Sequence, residues 1–129
     1  MNSTAIYVVA WLWPPVLASL TVAAVLVGAE DGWPVLGPIV VGGFGLAALM
    51  VIGWLRQRPI APGDDQTYWA TALSRLAIVE ATGLFGVVLA IAVGPWWLAL
   101  IGSAFSMVAL YLSWPSSSDR ERHELLYLV

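Results

Sequence analysis

Four long apolar stretches, at about residues 6–28, 35–55, 69–93 and 96–114, make up most of the sequence, and only the third carries charges, Arg75 and Glu80. An α-helix rises about 1.5 Å per residue, so ~20 residues cross a hydrocarbon core of about 30 Å. Each stretch reaches that length. In lipid, every backbone N–H and C=O must be satisfied within a helix or a closed barrel. The runs are continuous rather than alternating, which selects helices. A soluble domain carries about a quarter charged residues, whereas this chain is 60% hydrophobic and 10% charged over 129 residues. So much apolar surface cannot be hidden in one small core. The sequence therefore predicts an all-α membrane protein of four transmembrane helices, with a transmembrane domain over residues 1–115 and a short polar, cytoplasmic tail over 116–129.

The segments between the runs have turn chemistry. Glu30, Asp31, Gly32 and Pro34 form the first loop, beside Trp33. Pro59 closes the second run, Pro62, Gly63, Asp64 and Asp65 lie in the second loop, taken as Ile60 to Gln66, and Gly94-Pro95 make a tight turn before the last run. The acidic pairs in the loops have no third ligand nearby and are expected to be solvated. Pro14 and Pro15 fall inside the first run; proline removes a donor and clashes with the preceding turn, so a kink, or a helix whose regular part starts near Pro14, is expected. The N-terminus has no basic residue and its apolar run is longer than that of a secretory signal, so it is expected to be retained.

Arginine placement sets the expected orientation, because short loops rich in Lys or Arg stay cytoplasmic. Arg56 and Arg58 follow the second run, Arg120 and Arg122 follow the fourth, and the loops after the first and third runs have no basic residue. Both termini are thus predicted to be cytoplasmic, in a multi-pass protein of the inner (plasma) membrane. The eight tryptophans fall near predicted helix ends, where they are expected to anchor at the headgroups. With no basic face, nothing points to nucleic acid. The partners expected are the bilayer, further copies of the chain or other membrane subunits.

Two internal patterns concern packing. Gly45 to Leu55 aligns with Gly102 to Leu112, sharing Gly, Ala, Met, Val and Leu, and Leu17-Ala-Ser-Leu20 aligns with Leu73-Ser-Arg-Leu76. A duplicated helical hairpin would explain both. Gly83, Gly86 and Ala90 line one side of the third run, and Gly102, Ser106, Ala109 and Ser113 recur on one face of the fourth. Small side chains let backbones approach where lipid gives no hydrophobic drive, so the two stripes are expected to meet.

The chain has no cysteine and one histidine, His123, so thiolate chemistry, Cys/His zinc sites and a membrane-embedded histidine base are all missing. No metal site, cofactor or enzymatic nucleophile-and-base pair is expected. Glu80 is the candidate for function. It lies about eleven residues into the predicted third helix, roughly 16 Å deep. An acidic residue there costs on the order of 2.5–3.5 kcal/mol and usually faces a bundle interior or an aqueous path. A carboxyl out of water favours its neutral form, so Glu80 is the candidate proton- or cation-binding residue, with Arg75 and Ser106 as possible neighbours in support. The competing reading has Glu80 bonded to a hydroxyl of the last helix, such as Ser106, purely to hold the bundle. Arg75 is five residues from Glu80, about 140° around the helix, so a direct pair is not implied; it is expected to snorkel toward the cytoplasmic interface. His123, with Glu121 and Glu124, is expected to be surface charge.

Residues 35–93 resemble subunit c of F-type ATP synthases. The resemblance rests on Gly42-Gly43-Phe-Gly45, on Arg56-Gln57-Arg58-Pro59 in the loop, and on Leu76-Ala-Ile-Val-Glu80-Ala-Thr-Gly-Leu-Phe-Gly86. It implies that Glu80 is a proton-carrying carboxylate, reversibly protonated as a ring turns. The whole chain is also similar to small four-helix bacterial membrane proteins of unknown function that carry Leu-Ala-x-x-Glu-Ala-x-x-Leu-Phe-Gly in the third helix. The function expected is a non-enzymatic membrane subunit whose Glu80 binds or carries protons or cations. The alternative is a structural or assembly subunit of a larger membrane complex.

Overall fold

The structure, a computed structural model, describes residues 3–28, 30 and 32–129. Five helices and no strand occur among the described residues: α1 (Ser3–Val27), α2 (Leu36–Arg56), α3 (Asp65–Ala92), α4 (Leu98–Ser113) and α5 (Ser117–Leu128). Three of them, α1, α2 and α3, are long and apolar enough to cross a membrane; α4, with 16 residues, makes a fourth only together with α5, which is bent from it by 64°. Large apolar side chains such as Leu26, Met50, Val88 and Val108 lie on the outside. Exposed apolar surface on every side is what lipid, not water, accommodates.

Close approach of α3 and α4 sets the architecture. A methyl added at Gly86 would lie 2.8 Å from the Gly102 Cα, and one added at Gly102 would lie 2.7 Å from the Gly86 Cα, so the two backbones touch. The small-residue stripes on the two helices do meet. Around this pair stand α1 on one side and α2 on the other. Gly45 of α2 sits over the Phe105 ring and Gly37 over Leu98, while Phe44 stacks on Phe85 of α3 at 4.5 Å. Two apolar clusters fill the core. One joins Ile6, Ala10, Leu17, Ile52, Leu76 and Val79, and the other joins Ala24, Val41, Val87, Ala90, Leu98 and Ala99.

Several expectations need correction. A duplicated pair of hairpins would make α1 and α2 a close pair like α3 and α4; instead α1 and α2 scarcely touch, and each leans on the central pair. α1 runs unbroken from Ser3 through Pro14 and Pro15. Trp13 and Leu17, on either side of the prolines, are buried in the core, so packing spans the missing backbone bonds. Trp13 is therefore not a headgroup anchor, whereas Trp11 and Trp54 are exposed. α3 begins four residues earlier than expected, because Asp64 accepts a hydrogen bond from the Thr67 amide and caps the helix. Asp64 is thus a cap as well as a loop acid. Glu30 is exposed, and Asp31 lies outside the described residues.

The supposed tail is α5. Ser116 caps it by accepting from the Asp119 amide at 3.1 Å, a Ser-x-x-Asp start. Its charged side chains, Asp119 through Glu124, place it outside the apolar stretches. The N-terminal ends of α1 and α3, the C-terminal ends of α2 and α4, and α5 all share one end of the bundle, where Tyr7 meets Trp69 and Trp11 meets Trp114 edge to face. At the opposite end the Trp33 amide donates to the Gly94 carbonyl at 3.2 Å. Gly94 has φ +70, a backbone region open to glycine, and precedes a cis Pro95.

If the glycine contact holds α3 to α4, Gly102→Val should destabilise the bundle by about 1–3 kcal/mol through overpacking against backbone that cannot yield. Gly42→Val makes the same chemical change where nothing lies within 4 Å. Thermal unfolding in mild detergent compares the two; equal melting would show that the contact is not what holds the pair.

Candidate functional site

Glu80 lies near the middle of α3, half-buried, on the side that faces α1. It lines an open groove of about 290 Å³ with Val9, Leu12, Trp13 and Val16. No hydrogen bond or ion pair joins the Glu80 side chain to another described residue. The two residues expected beside it are engaged elsewhere. Ser106 accepts a hydrogen bond from Trp13 Nε1 at 2.9 Å and donates to the Val79 carbonyl at 2.7 Å, tying α1, α4 and α3 together. Its hydroxyl hydrogen goes to Val79, the residue before Glu80, and not to the Glu80 carboxyl. A second hydroxyl pair, Thr21 and Ser103 at 2.7 Å, fastens α1 to α4. Ser113, at the end of the α4 stripe, is buried with its hydroxyl unpartnered.

Arg75 does not snorkel. It is fully buried and grips Asp119 of α5, with Nη1 donating to Oδ1 at 2.8 Å and Nη2 to Oδ2. A planar guanidinium fits a carboxylate in this two-bond fashion. Tyr68 donates its hydroxyl to Asp119 Oδ2 at 2.8 Å, and Arg122 donates to Oδ1. Asp119 is thus held by α3 from below and by its own helix from the side. The explanation for Arg75 is one of length: it lies two to three turns into α3, where water is out of reach, and α5 folds back to bring the carboxylate to it.

Further bonds close α5 over the loop. The His123 carbonyl accepts from the Ile60 amide at 3.1 Å, Arg122 Nε donates to the Arg56 carbonyl at 3.2 Å, and His123 Nδ1 lies 2.7 Å from the Arg58 carbonyl. A carbonyl only accepts, so Nδ1 carries the hydrogen. Nε2 is then an unpartnered acceptor, buried 3.9 Å from Asp119 Oδ1. His123 is therefore fully buried rather than surface charge, and this expectation is overturned. Glu121 stays exposed, while Arg120 pairs with Asp65 and Glu124 and lies over the Tyr68 ring. No group of three or more side chains suited to hold a metal occurs among the described residues.

Burial alone pushes the Asp119 carboxyl up, but the hydrogen bonds and charge of Arg75, with Tyr68 and Arg122, outweigh it and hold the group below the usual carboxylate range. Burial pushes the His123 imidazole below its ordinary value, against the opposing pull of the Arg58 carbonyl and Asp119. Sequence reading missed this cluster because its partners lie 44 to 65 residues apart. Two local signals were present: the Ser-x-x-Asp start of a helix at Ser116, and Asp119 and His123 one turn apart on one face.

Breaking the pair with Asp119→Asn leaves Arg75 buried without a counter-charge and should cost about 3–5 kcal/mol, whereas the apolar double replacement Arg75→Met with Asp119→Leu should recover most of the loss. Acid stability follows from the two shifts. The fold favours neutral His123, a contribution present above about 6.5 and lost as pH falls toward the depressed folded value. It also favours ionised Asp119, a contribution present above about 3.9 and lost below it. Melting in detergent should therefore weaken in two stages as pH falls, and His123→Gln should remove the upper stage. A single-stage profile unchanged by His123→Gln would contradict this.

Comparison with protein-family models, with curated proteins and with solved structures finds no match to this chain.

Proposed function

We propose that this chain is a non-enzymatic subunit of the inner membrane in which Glu80 binds and releases a proton or a small cation. One observation carries the reading. Glu80 opens onto a groove with no side-chain partner, while Ser106, the hydroxyl that would have reduced it to a packing device, bonds Trp13 and Val79, and Arg75 is paired with Asp119. A carboxyl at this depth that is not held by its own fold is available to a ligand. Val9, Leu12, Trp13 and Val16 give the groove an apolar wall, so the Glu80 carboxyl is the group in its lining that can hold a proton or a cation.

In this reading the fourth crossing runs from Trp96 to Trp114, and α5 rests at the surface on the cytoplasmic side with the chain termini, as the placement of Arg56, Arg58, Arg120 and Arg122 at one end suggests. The site is like that of subunit c in kind. The second reading, an assembly subunit, draws on the same groove: a polar side chain from a partner's helix would meet Glu80 where the chain itself offers none.

A hydrophobic carbodiimide attacks protonated carboxyls in apolar surroundings and serves as the test. In protein purified in mild detergent, labelling should fall on Glu80, fade as pH rises and vanish in Glu80→Gln. Absence of labelling at every pH would overturn the proton-site reading. Labelling of the purified protein together with protection in native membranes would favour a partner seated in the groove.

A further inference from the structure

We infer that Arg56 and Arg122 form a binding site for the phosphate of an anionic phospholipid at the arginine-bearing end of the bundle. A pocket of about 450 Å³ lies where α2, α4 and α5 converge, lined by both arginines together with Tyr111, Trp114, Ser116 and Ser118. Arg122 is fixed there by its bonds to the Arg56 carbonyl and to Asp119. Arg56 has no such partner: its Nε is shut off from solvent with no acceptor, and no ion pair engages its guanidinium among the described residues. An unsatisfied buried guanidinium donor is costly unless an acceptor arrives.

Charge points to an anion. Asp119 also lines the pocket, but its carboxylate is already shared between Arg75 and Arg122. Arg56 and Arg122 in the lining outnumber Asp119, whose charge Arg75 also offsets from outside the pocket, so the pocket is positive. Ser118, in the first turn of α5, adds its hydroxyl and an N–H without a helical partner to the lining. A phosphate oxygen set is the acceptor chemistry that guanidinium forks bind best.

The apolar part of the wall selects a lipid over a free ion. Tyr111 is 82% exposed beside Leu112 at the end of α4, and Trp114 follows it. An aromatic pair at this level is the usual setting of the headgroup zone, with acyl chains free to run down the exposed apolar surface of α4, where Val108 and Met107 lie. The site would thus hold the headgroup between α2 and α5 and the chains against α4. It is independent of Glu80, which lies on the other side of α3 facing α1.

The test uses the full chain in mild detergent, titrated with phosphatidylglycerol, with phosphatidylcholine, or with inorganic phosphate, and reads bound lipid by native mass spectrometry and stability by melting. Phosphatidylglycerol should bind and raise the melting temperature more than phosphatidylcholine, and Arg56→Gln should weaken that preference about fivefold, the usual worth of one basic residue at an anionic lipid surface. Arg56→Gln should fold, since Arg56 satisfies no other side chain. Arg58→Gln removes a nearby charge outside the pocket and should leave the preference intact. Equal loss in both variants would assign the preference to diffuse charge and overturn the site. No difference between the two lipids would overturn it as well, and stabilisation by inorganic phosphate as large as that by phosphatidylglycerol would overturn the assignment to a lipid.

Discussion

The bundle depends on the contact of Gly86 with Gly102. With any side chain at either position the α3 and α4 backbones would have to separate, and Ser106, one turn further along α4, could not reach the Val79 carbonyl. That bond in turn leaves Ser106 as the acceptor for Trp13, which seats α1. α2 depends on the same pair through Gly37 against Leu98 and Gly45 against Phe105. The order of causes runs from two missing side chains to a backbone contact, then to a hydroxyl positioned between helices, and then to the placing of the outer helices.

The charged end follows a different rule. Along the bundle few polar side chains occur, and hydroxyls such as Ser106, Thr21 and Ser103 make the bonds between helices. At the arginine end, five helix termini and a loop bring many ionised groups into one small volume, and α5 is the element that reconciles them. Asp119 sits at its first turn, where the helix dipole also favours an anion. The same short helix offers the His123 carbonyl to the Ile60 amide and the Arg122 and His123 side chains to the Arg56 and Arg58 carbonyls. Little apolar surface is buried by α5, so polar geometry and not hydrophobic burial holds it in place.

Much of this architecture could be read from the sequence. Apolar run length found α1, α2 and α3 to within a few residues, because composition dominates where lipid is the solvent, and the glycine and serine spacing on α3 and α4 identified their contact. Local chemistry was harder. The run of Ser116 to Glu124 has the hydropathy of a tail, and only its capping pattern marks a helix. Arg75 looked free to reach water because its partner lies 44 residues away. Trp13 looked like an anchor because α1 was taken to start at Ile6 and to bend at Pro14; with the start at Ser3 it lies in the core. Glu80 stands out in the sequence as the lone acid in an apolar run, but Ser106, a possible neighbour, bonds Trp13 and Val79 instead, since a serine's direction depends on which helix reaches it first.

The way α1 and α2 avoid one another bears on how the chain is made. Synthesis delivers these two helices before the platform they rest on exists, so neither has a docking surface until α3 and α4 have emerged and joined. The early intermediate is a pair of separate apolar helices, each needing the insertion machinery or lipid as temporary company. Arg75 enters the membrane region with α3 while Asp119 is still inside the ribosome. Its charge must wait at the interface, or be shielded there, until α5 arrives and closes the lock.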